Sequence, residues 1–210
     1  MNTTTTASFD ETLQEALRVS QANDGLAAIR LFQQALAINP QSATTYCLLA
    51  AEYITLGQVA ESETAYANAL VLAPDFHLAR FQMGLLQFTS VRVAVALLTW
   101  QPLLALPDDH ALKLFAMGFA HMAQDDFNVA LGYFDRGITC NIDIAPLNTD
   151  IQRVIAEIKA LQEKLALGAS NPAEPAPSIA PVEEGNNEES EIEASAHFLL
   201  NNYQQQGPLH

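Results

Sequence analysis

The sequence predicts an all-α fold: an α-solenoid of four helix hairpins in series, then a C-terminal capping helix and a disordered acidic tail. Three observations predict it. Between Ala43 and Asp75, Tyr46, Leu49, Ala50 and Tyr53 stand at i, i+3, i+4 and i+7, the spacing of one apolar stripe on a helix. After Gly57-Gln58, Ser62, Tyr66 and Ala69 form a second helix that Pro74 cannot continue. This unit then recurs in steps of 34 residues: Ala28, Phe32, Ala35 and Pro40 before it, Ala96, Trp100, Leu103 and Pro107-Asp108 after it, then Ala130, Phe134 and Gly137. A single hairpin cannot bury its own stripe, so recurrence is what makes the pattern foldable.

Taken in order, residues 1–7 are polar and flexible, and Ser8 with Glu11 forms a capping box for the first helix. That helix carries Phe9, Leu13, Ala16 and Leu17. Thr12 and Glu15 fall at normally apolar positions, as suits a terminal repeat with a polar outer face. Asn23-Asp24-Gly25 turns the chain into a second helix, Leu26 to Ile38, closed by Asn39-Pro40. The repeats span about 8–41, 42–75, 76–109 and 110–143, within 8–145. In the third, the turn Thr89-Ser90-Val91 has no glycine, and Val91 to Leu98 is apolar and β-branched enough to suggest a strand. Register with its neighbours favours a helix. Asp108 is the expected N-cap of repeat four, and Asp125-Asp126 its internal turn. Residues 146–167 read as one long helix with a stripe of Leu147, Ile151, Val154, Ile155, Ile158, Leu161 and Leu165. It can cap the last repeat or serve as a dimerising helix.

The pattern Tyr46-x2-Leu49-Ala50-x2-Tyr53, Ser62-x3-Tyr66, Pro74, with Gly84 and Gly118 in register, resembles the tetratricopeptide repeat (TPR), whose period is about 34 residues. Arg80 and Gln87 depart from it, replacing the usual aromatics of repeat three. The resemblance implies that the first helix of each repeat lines a concave face that holds peptide or helical ligands. On that face it places Cys47, Ala51 and Ile54 in repeat two, Leu78, Phe81, Leu85 and Phe88 in repeat three, and Leu112, Phe115, Phe119 and Met122 in repeat four. One TPR mode clamps a terminal carboxylate with Lys, Arg and Asn, and these positions carry none. The implied partner is therefore a protein or peptide with an apolar segment, shielding what would otherwise be a large solvated patch. The alternative is that Phe81, Phe88, Phe115 and Phe119 simply fill a tight superhelix. A more general likeness links the chain to TPR chaperones of bacterial secretion systems, which hold apolar segments of exported clients.

Composition narrows the classes further. With 9 Lys and Arg against 24 Asp and Glu, the net charge is −15, and the basic residues are spread thinly, so neither nucleic acid nor an anionic membrane is an expected partner. Leu85 to Leu106 is apolar but holds Gln87, Arg92, Gln101 and Pro102, which argues against membrane insertion. The N-terminus shows no signal-peptide pattern, and Cys47 and Cys140 have no metal or redox spacing; both point to a cytoplasmic protein with reduced, mostly buried thiols. No phosphate loop, HExxH, CxxC or G-x-S-x-G occurs, and the five histidines share no ligand spacing, so neither enzymatic activity nor a cofactor or metal is expected. His121 reads as a packed residue, and Asp108-Asp109-His110 as an inter-repeat turn in which the Asp residues cap helices.

From Gly168 the chain changes character. Residues 168–193 are rich in Pro and Glu, with Glu174, Glu183, Glu184, Glu188, Glu189, Glu191 and Glu193 and no basic residue. They read as an acidic linker. In 194–210, Ala196, Leu199, Leu200 and Tyr203 lie on one helical face with Phe198 beside it, a candidate docking segment for the groove or for tail exchange in a homodimer. A frayed terminus is the plainer reading.

Overall fold

The computed structural model describes residues 8–142 and 144–169, and every regular element among them is helical. The chain divides into two compact units, the first ending at Leu103 and the second beginning at Leu104.

The first unit holds three antiparallel helix pairs: α1 (Phe9–Gln21) with α2 (Gly25–Ile38), α3 (Ala43–Thr55) with α4 (Val59–Leu72), and α5 (His77–Thr89) with α6 (Val93–Trp100). Ser8 caps α1 as expected: its hydroxyl accepts from the Glu11 N–H at 3.3 Å, and the Glu11 carboxylate accepts from the Ser8 N–H at 2.9 Å. Thr12 is buried although polar, because its hydroxyl donates to the Ser8 carbonyl at 2.9 Å. Consecutive pairs pack through α2 against α3 and α4 against α5. Ala16, Ala28, Phe32, Ala50, Tyr66 and Ala69 lie at the centre of that core, each at most 2% exposed.

Small residues sit where helix backbones meet. Ser62 reaches across its hairpin and donates to the Ala50 carbonyl at 2.8 Å, so its hydroxyl is satisfied where its neighbours in register use alanine. The segment beginning at Val91 is helical from Val93, so register outweighs local β propensity. It stops at Trp100, earlier than its counterparts. Pro102 has no N–H to continue the ladder, the Gln101 N–H bonds the Leu98 carbonyl, and a 3₁₀ turn, Gln101–Ala105, follows.

The second unit is a fourth pair, α7 (Ala111–Met122) with α8 (Phe127–Cys140), and a long α9 (Ala145–Ala169) packed on α8. Leu147, Ile151, Val154, Ile155 and Ile158 of α9 are buried, whereas Leu165 near its end is exposed. Asn141 builds the α8–α9 turn: its amide donates to the Ile144 carbonyl and to Asn148 Oδ1, both at 2.8 Å. Two expectations are corrected here. His110, not Asp108, caps α7, its Nδ1 accepting from the Leu112 N–H at 3.2 Å, because Asp108 is drawn to the Lys113 ammonium at 2.7 Å. Cys140 is exposed rather than buried, at the last residue of α8, where the helix ends; Cys47 is half-buried.

Candidate peptide-binding surface

The candidate site rests on the first helices of the hairpins, and each helix presents its candidates on one face by spacing alone. Cys47, Ala51 and Ile54 follow i, i+4, i+7 on α3, while Leu78, Phe81, Leu85 and Phe88 follow i, i+3, i+7, i+10 on α5. In the second unit, Leu112, Phe115, Phe119 and Met122 repeat the α5 spacing on α7. None of these positions bears a charge.

Accessibility divides them. Ala51 is exposed, and Cys47, Ile54 and Leu78 are half-buried. Phe81, Leu85, Phe88, Leu112, Phe115, Phe119 and Met122 are all 7% exposed or less. The aromatic positions are therefore not the solvated patch that the sequence led us to expect. Their rings have partners within their own hairpins. Phe81 and Phe88 both stack on Trp100, with centroids at 5.7 and 5.8 Å, and the indole N–H donates to the Phe81 carbonyl at 2.9 Å. Phe119 meets Phe134 edge-on at 5.0 Å, and a Cβ placed on Gly137 would lie 2.4 Å from the Phe115 ring. Cys47 is buried enough that desolvation pushes its thiol up to about 11, so it behaves as a small apolar side chain. The tail residues Ala196, Phe198, Leu199, Leu200 and Tyr203 lie outside the described residues.

Several polar groups near these helices are engaged in structure. Gln87, which replaces an aromatic, is 2% exposed and fully used: its amide donates to Glu63 Oε1 at 2.9 Å and its carbonyl accepts from the Thr99 hydroxyl at 2.6 Å. Arg92 forks onto the same Glu63 at 3.1 and 2.7 Å, holding that carboxyl below the ordinary carboxylate range, with help from Gln87. In the second unit His121 stacks on Tyr133 at 5.3 Å and meets Asp126 at 3.3 Å, with Arg136 over the far ring. Among the described residues no group of His, Cys, Asp and Glu could hold a metal ion, and no helix is long and apolar enough to cross a membrane.

Sequence reasoning passed over one feature of the first unit. A cleft of about 350 Å³ opens between α3 and α4, with Tyr46, Tyr53 and Glu61 around it and Leu49 and Ala65 among its lining. Tyr46 and Tyr53 of the apolar stripe pack against the core but are only half-buried. The signal was present in the register. Where repeats three and four carry Thr99 and Tyr133, repeat two carries Ala65.

No protein-family model matches the sequence, and no curated protein matches it. Solved structures do. MamA from Desulfovibrio magneticus RS-1, from residue 41 to its end, aligns with TM-score 0.55 at 12% identity, over 78% of this chain and 97% of that one. YrrB, described as a TPR protein with an unusual peptide-binding site, aligns with TM-score 0.51 at 16% identity, over 93% of this chain and 91% of its own. A chain of the anaphase-promoting complex hetero-tetramer Cut9-Hcn1 gives TM-score 0.59 at 20% identity, over 63% of this chain but only 26% of that one. At these identities the likeness is one of fold, and the fold is that of the tetratricopeptide repeat.

Proposed function

We propose that this TPR-fold chain is a non-enzymatic interaction module of the cytoplasm, binding an apolar helical or extended segment of another protein. The observation that supports this reading is that the accessible candidate positions on the first helices of repeats two and three, Cys47, Ala51, Ile54 and Leu78, are all apolar and uncharged. In the first unit, Cys47, Ala51, Ile54 and Leu78 supply the accessible contacts, and Phe81, Leu85 and Phe88 share the α5 face with Leu78. Leu112, Phe115, Phe119 and Met122 form a separate apolar face on α7. Burying a fully exposed Leu or Ile contributes about 1.5–3 kcal/mol and a half-buried one less, so the contacts at Ile54, Leu78, Cys47 and Ala51 support micromolar affinity at most. The chain's own 194–210 segment, through Ala196, Phe198, Leu199, Leu200 and Tyr203, competes for this face. A linker of roughly 25 residues has a reach of about 25–30 Å, which gives millimolar effective concentration.

The test is site-specific photo-crosslinking in full-length protein at Ala51 and Leu78, compared with an outward site such as Gln34. Partner adducts at the first two only, increased when 168–210 are deleted, are the expected result. Adducts equal at all three sites would overturn the reading, and adducts unchanged by the deletion would remove the tail from it. If the captured protein is insoluble or degraded when this chain is absent, the module is a chaperone rather than a scaffold.

A further inference from the structure

The α3–α4 cleft is a separate feature from the apolar faces, and the repeat register explains why it is open. The register pair Tyr53/Ala65 recurs as Gln87/Thr99 and as His121/Tyr133, each a step of 34 residues further on. In repeat three the pair closes by a hydrogen bond of 2.6 Å between Thr99 and Gln87. In repeat four it closes by an aromatic stack, His121 on Tyr133, with rings 13° from parallel. In repeat two the methyl of Ala65 is too small to reach Tyr53, and the volume a partner side chain would fill is left as the cleft.

The walls say what kind of group fits. Tyr53 is held in place by Gln33, whose amide donates to the phenol oxygen at 2.9 Å. Its ring therefore offers a fixed flat surface. Leu49 and Ala65, both at most 5% exposed, contribute apolar lining that suits a methylene chain. Glu61 is the one charged residue of the lining. It takes part in none of the ion pairs among the described residues, and the register gives Val95 and Val129 at its position in the later repeats. A planar face, an apolar channel and an unpaired carboxylate together match one natural side chain. We propose that this cleft is a socket for an arginine of a partner protein, its guanidinium stacking on Tyr53 and pairing with Glu61 while its stem lies against Leu49 and Ala65. The net charge of −15 favours the approach of such a partner.

The test uses the full chain, ¹⁵N-labelled, titrated at low salt with four capped tripeptides of the form Ala-X-Ala in which X is arginine, lysine, citrulline or norleucine. Citrulline keeps the plane without the charge, lysine keeps the charge without the plane, and norleucine keeps only the stem. Arginine is expected to bind tightest, with amide shifts confined to residues 46–53 and 60–68. Lysine and citrulline should each be weaker by roughly fivefold or more, and norleucine weakest. Glu61→Gln should weaken arginine binding about fivefold and bring it level with citrulline. Ala65→Tyr, which rebuilds the side chain that closes repeat four, should abolish the shifts while the helical circular dichroism persists. Equal binding of arginine and norleucine would overturn the proposal, as would equal binding of arginine and citrulline or of arginine and lysine. Shifts that survive Ala65→Tyr, an arginine affinity indifferent to Glu61→Gln, or no shift with any peptide would do the same.

Discussion

Four single residues set the geometry of the hairpin turns. Asn23, Gly57, Val91 and Asp125 stand one repeat apart, and all have φ between 59° and 70°. Glycine adopts this region freely, and Asn and Asp tolerate it, but a β-branched valine is strained there. Val91→Gly is therefore expected to stabilise the protein by about 1 kcal/mol, measured as a shift in the denaturation midpoint. The helical glycines work by absence instead. A Cβ on Gly84 would lie 2.1 Å from the indole nitrogen of Trp100, and one on Gly118 would lie 2.5 Å from the Phe134 ring. Gly84→Ala should destabilise by roughly 1–3 kcal/mol, because a packed indole has nowhere to retreat. The cysteines differ in the same local way. At about pH 8, alkylation should modify exposed Cys140 first and leave Cys47, whose thiol is raised by burial, largely unreacted.

At the scale of helices, a polar network ties repeat three to repeat two. Glu63 of α4 joins Gln87 of α5 and Arg92 at the start of α6, and Gln87 passes the link to Thr99. Arg92 lowers the Glu63 carboxyl relative to its ordinary 4.5, so its contribution to stability is present above that value and is lost as pH falls through the lower folded-state value. Acid unfolding followed by circular dichroism should show Glu63→Gln losing less stability than wild type below about pH 4.5. In the second unit the apolar stripe of α9 packs on α8. Ile151 and Ile158 are each 1% exposed, and Ile151→Ala should cost about 2–5 kcal/mol.

For the molecule as a whole, charge is the dominant unbalanced quantity. A net −15 is offset by few ion pairs among the described residues, and Arg18–Glu15 and Lys113–Asp108 each involve an exposed partner that contributes little. Self-repulsion should therefore be relieved by screening, and the melting temperature should rise by several degrees between low salt and about 0.5 M sodium chloride. A melting temperature that falls or stays level would show that the described ion pairs matter more than the excess of carboxylates.

The sequence by itself determined the helical class, the ends of α2 and α9 to within two residues, and the places where backbones approach, because periodicity, proline stops and small residues act locally. It determined equally that repeat three would be helical despite its valines. Tertiary structure decided the rest. Whether Phe81 and Phe115 face a ligand or a neighbouring helix depends on Trp100 and Gly137, which lie 19 and 22 residues away in sequence. The cap of α7 passed from Asp108 to His110 only because Lys113 competes for the carboxylate. Spacing along a helix fixes which residues share a face, but what that face meets, and whether a gap such as the one beside Ala65 is filled, depends on the volume of side chains contributed by another helix.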